Sequence, residues 1–367
     1  MSEIVLKIHP ELPLKNDWRI GCIGSGFIMS DCHIPSYLKA GFKPVAVCSE
    51  NLQNAQKLAN RHGVKKVYSN AIELIDDESI EVLDIAVPPQ KQLGIIQEAV
   101  KRPHIKGILA QKPLGVNYQE ALEIVELCEA HGKLLTVNQN MRYDHSIRAL
   151  KQLMVNGVLG QQILGTIDMR AVPHWAPWQA SLGWLTLRMM SIHHLDVSRF
   201  LFGDPSRVYC TFTQDPRTSF AHEDGICLTT LEYDNGARFQ ITDDVWAGPT
   251  KEGSASDCYV KWRMEGCKGL AKGEIGWPMW PVITPSTITY STIKSNGQWT
   301  SPKWQEAWFP DAFLGPMAEL LRGLEGSVVN LNGKDNLKTM LLVEACYQSG
   351  SNKQIIDFNK ICKENKQ

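Results

Sequence analysis

Neither sign of charge is in excess: 38 Lys and Arg stand against 39 Asp and Glu, a formal net charge of -1. Without a basic surplus there is no broad field to gather nucleic acid or an anionic membrane, and a small neutral metabolite is the easier partner. Cysteine spacing is equally uninformative for metals. Ten cysteines, among them Cys22, Cys32, Cys48, Cys128, Cys210 and Cys346, include no C-x-x-C pair and no Cys/His cluster of zinc spacing. No metal is expected from them, and they read as reduced thiols of a cytoplasmic protein. Long apolar runs are missing too. Glu3, Lys7, Glu11, Lys15, Asp17 and Arg19 interrupt the first twenty residues, which argues against a signal peptide, and no later run reaches a membrane span. There is no internal repeat and no low-complexity segment. The N-terminus to about Asp17 and the Lys/Asn-rich C-terminal tail read as loosely held.

What is present is a large apolar budget, 43% of 367 residues, which suits two domains better than one. From Arg19 the chain alternates short apolar runs with helical periodicity: Arg19 to Gly24, Pro44 to Cys48, Val82 to Val87, Ile105 to Ala110 and Leu134 to Asn138 are the expected strands. That rhythm predicts βαβ units in a doubly wound parallel sheet, a Rossmann domain over residues 1–150. Beyond Leu150 the texture becomes alternating and β-branched, in Gln162 to Arg170, Ser206 to Thr213, Gly225 to Tyr233, Ala237 to Asp243 and Cys258 to Glu265. Residues 151–367 are therefore expected to form an α+β domain with a large, mainly antiparallel sheet. Asp234-Asn235-Gly236 predicts a tight primed hairpin turn. Ten of the eleven tryptophans lie at or beyond Trp175; they suit either a face that binds a ring-shaped ligand or a sheet core with an aromatic subunit interface.

The run Gly21-Cys22-Ile23-Gly24-Ser25-Gly26-Phe27-Ile28 leads a strand through a glycine turn into a helix. Gly24 and Gly26 would let the backbone approach a pyrophosphate held at the positive end of the helix, with Phe27 and Ile28 beside it. The third glycine of that pattern is Met29, so close packing of helix on strand must be reached another way. After the second strand, Glu50 lies about where an acid accepts hydrogen bonds from the adenosine ribose, although Ser49 takes the commonest position. Carboxylate repulsion of a 2'-phosphate favours NAD over NADP. A solvated loop acid is the alternative reading of Glu50.

Gln111-Lys112-Pro113-Leu114 follows an apolar strand, and Ser191-Ile192-His193-His194-Leu195-Asp196 opens a helix that ends near Phe202-Gly203-Asp204-Pro205. With the glycine turn and Val87-Pro88-Pro89, their order and spacing resemble the glucose-fructose oxidoreductase, inositol dehydrogenase and MocA (Gfo/Idh/MocA) superfamily, over nearly the whole chain to Ala345. The resemblance implies a nicotinamide cofactor near Pro88, Gln111 and Lys112, with Lys112 and His193 as the catalytic pair. His194 is the local competitor, since neighbours on a helix point about 100° apart. Asp196 either orients the site or caps the helix start. The chain departs from the family in three places: Gln111 replaces the usual glutamate, Met189 replaces an aspartate one turn before His193, and Gln92 stands where many relatives have histidine. Asn140 and Arg142, on the turn after the last Rossmann strand, and His174, Trp175, His194 and Asp196 are the candidate substrate contacts.

The resemblance implies an NAD(P)-dependent oxidoreductase that moves a hydride between its cofactor and the CH-OH carbon of an unphosphorylated sugar or polyol. Pro173-His174-Trp175, Trp184 and Pro285-Ser286-Thr287 resemble sugar 1-dehydrogenases acting on D-apiose, with inositol 2-dehydrogenases next. The alternatives are a ketone reductase or redox-neutral glycoside-processing enzyme of the same fold, and a dinucleotide-sensing regulator without catalysis. A homo-oligomer is implied by the resemblance.

Overall fold

A computed structural model describes residues 6–171, 179, 181–252 and 254–365. These fall into two compact units.

The first unit is built on six parallel strands: β1 (Arg19–Ile23), β2 (Lys43–Cys48), β3 (Lys66–Tyr68), β4 (Val82–Ile85), β5 (Gly107–Ala110) and β6 (Leu134–Val137), in the order β3-β2-β1-β4-β5-β6. This is the Rossmann order, with its reversal between β1 and β4, where open α/β sheets bind ligands at the carboxyl ends of the strands. Strands β4 and β5 are buried at every position, as a sheet covered on both faces requires. The short edge strand β3 was not expected; with one exposed and two half-buried residues it carries little periodic signal.

The single expected boundary at residue 150 does not describe how the chain partitions. Pro10–Tyr143 forms the first unit together with Phe309–Met340, a segment returning from late in the sequence. Within it, Met317, Ala318, Leu320 and Leu321 of the helix Leu314–Leu324 join the core formed by Trp18, Ile20, Val47, Val82 and Leu109. A side chain at Gly107 would lie 3.0 Å from Leu320, so the helix packs directly on β5. An apolar stripe shows that a helix is buried, not against which sheet.

The remaining described residues form the second unit, around β7 (Gln162–Arg170), β8 (Arg207–Thr213), β9 (Ile226–Glu232), β10 (Arg238–Asp244), β11 (Tyr259–Gly266), β12 (Gly269–Glu274), β13 (Thr287–Thr292) and β14 (Ile356–Asp357). Every pairing is antiparallel except β7 with β10. Alternation is plain in β9, where Cys227, Thr229 and Leu231 are buried and Leu228 is exposed. The β9–β10 hairpin turns at Asp234-Asn235-Gly236, but not as a primed turn. Only Gly236 has positive φ, at 87°, while the Asn235 side chain accepts the N–H of Ala237 at 3.0 Å. A primed type I turn needs two left-handed residues, and the asparagine caps the backbone instead. Trp262 and Trp308 are core residues, Trp262 donating to the Ser146 hydroxyl at 3.2 Å.

Candidate functional site

The dinucleotide turn begins where β1 ends. Gly24 has φ of 111° and donates its N–H to Cys48 O at 3.0 Å, and a Cβ there would lie 2.3 Å from the carbonyl oxygen of Ala86. Only glycine fits. Gly26 is different: nothing lies within 4 Å of the place its Cβ would take, leaving its exposed backbone open to an approaching group. The Ser25 hydroxyl donates to that of Ser49 at 2.8 Å, tying the turn to the end of β2. Phe27 packs its ring 5.8 Å from Phe309, and Ile28 starts a π-helical segment, Ile28–His33, that buries Met29 completely. A widened turn thus accommodates a large side chain where the usual pattern has glycine.

Glu50 is exposed, and its carboxylate pairs with the ammonium of Lys91 from the helix Pro89–Ala99. Pro88 is the residue that leads the chain into that helix. Lys91 was not expected here, because forty-one residues separate the partners.

The loop after β5 is fixed from both sides. Gln92, fully buried, donates to Gln111 O at 2.9 Å and to Pro113 O at 3.1 Å, and accepts the N–H of Gly115 at 3.1 Å. Gln111 uses its side-chain oxygen to accept the N–H of Lys112 at 2.9 Å and the Asn138 amide at 3.1 Å. Both departures from the family pattern are therefore structural members of the loop. Behind them runs a buried polar chain that the sequence reading missed. Asp84 lies 2.6 Å from Nδ1 of His33 and accepts from the Tyr37 hydroxyl at 2.7 Å, and the Asn138 amide lies 2.9 Å from Nε2 of His33. These contacts assign His33 as the neutral Nδ1–H tautomer, donating to Asp84 and accepting from Asn138. The available signal was Asp84 itself, a carboxylate in the middle of the strand Val82-Leu83-Asp84-Ile85.

Desolvation pulls the Lys112 ammonium down from its ordinary 10.5 to about 8. That brings its free-base form within reach of neutral pH, as a proton-transferring lysine requires. Asn140, buried, donates to the Asn138 side chain at 3.3 Å. Arg142 is buried and ion-paired with Asp335 at 2.7 Å, so its guanidinium already serves the packing of its own unit.

In the second unit a π-helical segment, Leu187–Ser191, runs into the helix Ile192–Phe202. Asp224 fastens its start by accepting from the N–H groups of Leu185, Thr186 and Leu187 and from the Tyr347 hydroxyl. His193 is buried, with its ring edge-on to Trp308 at 5.5 Å. His194 is fully buried and its Nδ1 lies 2.9 Å from Asp243, whose other oxygen accepts from the Ser191 hydroxyl. Met189 is buried one turn before His193. The carboxylate that meets this pair of histidines thus comes from β10 and engages His194. Asp196 is buried inside the helix rather than at its start, which removes the capping alternative. His174 and Trp175 lie outside the described residues.

Against this geometry the comparisons are consistent. A family model described as "Oxidoreductase family, NAD-binding Rossmann fold" matches residues 18–139, and the "GFO/IDH/MocA C-terminal domain" matches residues 147–269. The chain belongs to the Gfo/Idh/MocA oxidoreductase family. A D-apiose dehydrogenase of Rhizobium rhizogenes is 26% identical over 342 residues, 92% of this chain and 96% of that protein. An inositol 2-dehydrogenase of Azotobacter vinelandii is 30% identical over 232 residues, 60% of this chain and 65% of that one. Among solved structures, a levoglucosan dehydrogenase in complex with NADH and L-sorbose superposes with a TM-score of 0.77 at 18% identity, covering 94% of this chain and 100% of that one. An Agrobacterium radiobacter oxidoreductase with NAD+, L-tartaric acid and magnesium gives 0.78 at 20% identity, covering 94% and 99%. These two share the fold. The chain is an oxidoreductase with a nicotinamide-binding domain. Among the described residues, no helix is long and apolar enough to cross a membrane.

Proposed function

We propose that this enzyme is an NAD-dependent dehydrogenase of an unphosphorylated sugar or polyol. The observation that carries the reading is Lys112, whose ammonium is desolvated to a pKa of about 8 on a loop fixed by Gln92 and Gln111. The residues present fit a dinucleotide. The open space at Gly26 admits a pyrophosphate, Glu50 offers acceptors to a ribose, and Pro88 and Gln111 stand at the carboxyl ends of β4 and β5. Held by these residues, a nicotinamide would supply the acceptor for the hydride of the carbinol carbon.

The hydroxyl proton has to leave in the same reaction, and Lys112 in its neutral form takes it. In the reverse direction the ammonium returns the proton to the carbonyl oxygen. We assign His193 to the substrate oxygen as hydrogen-bonding partner and second acid-base group, and Asn140, His174, Trp175 and Asp196 to substrate orientation. We place His194, held by Asp243, as the residue that sets the helix carrying His193. A balanced charge with no arginine cluster suits a neutral sugar better than a phosphorylated one. The names of the relatives support aldoses and inositols as the first substrates to try.

Tyr209 and Leu228 are exposed on one face of the second sheet, and we take this face to join copies of the chain in a cytoplasmic homo-oligomer. The deciding experiment is a panel of aldoses, inositols and sugar lactones with NAD and NADP, read as absorbance of the reduced cofactor. Stoichiometric NADH formation with one sugar class supports the reading. Tight dinucleotide binding with no turnover on any compound would replace it with the sensor reading, which Met189 favours.

A further inference from the structure

We propose that His9, His145 and Glu306 form a divalent-cation site in the second unit, suited to Zn2+. The three residues come from segments far apart in sequence, which is why no zinc spacing is visible in the chain. Their ligand atoms all lie within 4.8 Å of one another. Two imidazoles and a carboxylate, with one position left over, are a donor set zinc accepts in open tetrahedral sites.

The distances support this assignment. Zinc-nitrogen bonds of about 2.0–2.1 Å put neighbouring tetrahedral ligand atoms about 3.3 Å apart. Nε2 of His145 and Nδ1 of His9 are 3.4 Å apart, with rings nearly perpendicular at 70°. Glu306 lies 3.8 Å from the other nitrogen of His9, within the 4.8 Å that encloses all three ligand atoms, and at 24% exposure its carboxylate has room to close onto a shared ion.

Two of the ligands are held in place by one polar cluster. Asp144 caps the helix His145–Val155, accepting from the N–H groups of Ser146 and Ile147 and from the hydroxyls of Ser146 and Ser286. Ser286 in turn donates its N–H to Glu306 O at 3.2 Å. His145 is thereby fixed at the first turn of its helix and Glu306 beside it, while the exposed His9 supplies the third ligand and ties the N-terminal segment down. A cation at a helix start opposes the helix dipole, a cost small against direct ligand bonds to the ion.

The test titrates the full-length protein with zinc chloride against a chromogenic chelator, and with cobalt(II) to read the ligand type. One equivalent should bind, the cobalt form should show visible tetrahedral bands without thiolate charge transfer, and zinc should raise Tm. His9→Ala and Glu306→Gln should each weaken binding at least tenfold and abolish the Tm shift. Both change solvent-accessible groups, so the fold is retained, as circular dichroism would verify. No stoichiometric binding, thiolate bands in the cobalt form, or unchanged affinity in both variants would overturn the assignment and leave the three residues as a hydrogen-bonded cluster.

Discussion

Gln111 accepts the backbone N–H of Lys112 on the same side-chain oxygen that receives the Asn138 amide, at 2.9 and 3.1 Å. Asn138 in turn reaches His33, and His33 reaches Asp84 of β4. The backbone of the lysine assigned to proton transfer is thus held at the end of a buried polar chain.

The protonation of Lys112 should govern the pH profile. With a pKa near 8 it is mostly ammonium at pH 7 and mostly free base at pH 9, so kcat/KM for oxidation should rise through pH 8 as one ionisation. Lys112→Ala should lower kcat by about 10²–10⁴ while sparing dinucleotide binding, measured by quenching of protein fluorescence. Near-normal turnover of this variant would falsify the assignment.

Stability should also rise with pH. Because the folded pKa lies below the unfolded value of about 10.4, the unfolded chain holds the extra proton between the two. The penalty for burying the ammonium is full below pH 8 and fades as pH approaches 10.4. Lys112→Met should therefore raise Tm at pH 7, with a gain that shrinks by pH 10.

The two glycines of the turn should separate folding from binding. Gly24→Ala meets the Ala86 carbonyl and a left-handed backbone, and should cost about 1–3 kcal/mol in chemical denaturation. Gly26→Ala meets no protein atom, so stability should stay within about 0.5 kcal/mol. Its NAD affinity should nevertheless fall at least tenfold by calorimetry, because a methyl group would stand where the pyrophosphate approaches.

The Glu50–Lys91 pair should set cofactor choice. Glu50→Ala removes the acceptor for a ribose hydroxyl and frees a cation for a 2'-phosphate. The ratio of kcat/KM for NADP to that for NAD should rise at least tenfold, and an unchanged ratio would remove Glu50 from the ribose site.

Asp243 should matter through His194. Asp243→Ala leaves the buried Nδ1–H of His194 and the Ser191 hydroxyl without their acceptor, which should cost about 1–3 kcal/mol. Asp243→Asn, which keeps one acceptor, should recover part of that loss and more kcat than KM if the dyad positions the catalytic helix.

By itself the sequence determined the layers. Strands such as Val82–Ile85, apolar on both faces, and alternating ones such as Ile226–Glu232, together with a glycine turn and the lysine at a strand end, carry their meaning in local periodicity and backbone sterics. Only the tertiary structure decided which polar groups meet. The return of Leu314–Leu324 to the Rossmann sheet, the meeting of Asp84 with His33, of Asp243 with His194 and of Lys91 with Glu50 all join residues distant in the chain. A hydrophobic period says that a residue is buried. The partner that satisfies a buried carboxylate or imidazole is fixed by packing in three dimensions, which no local pattern records.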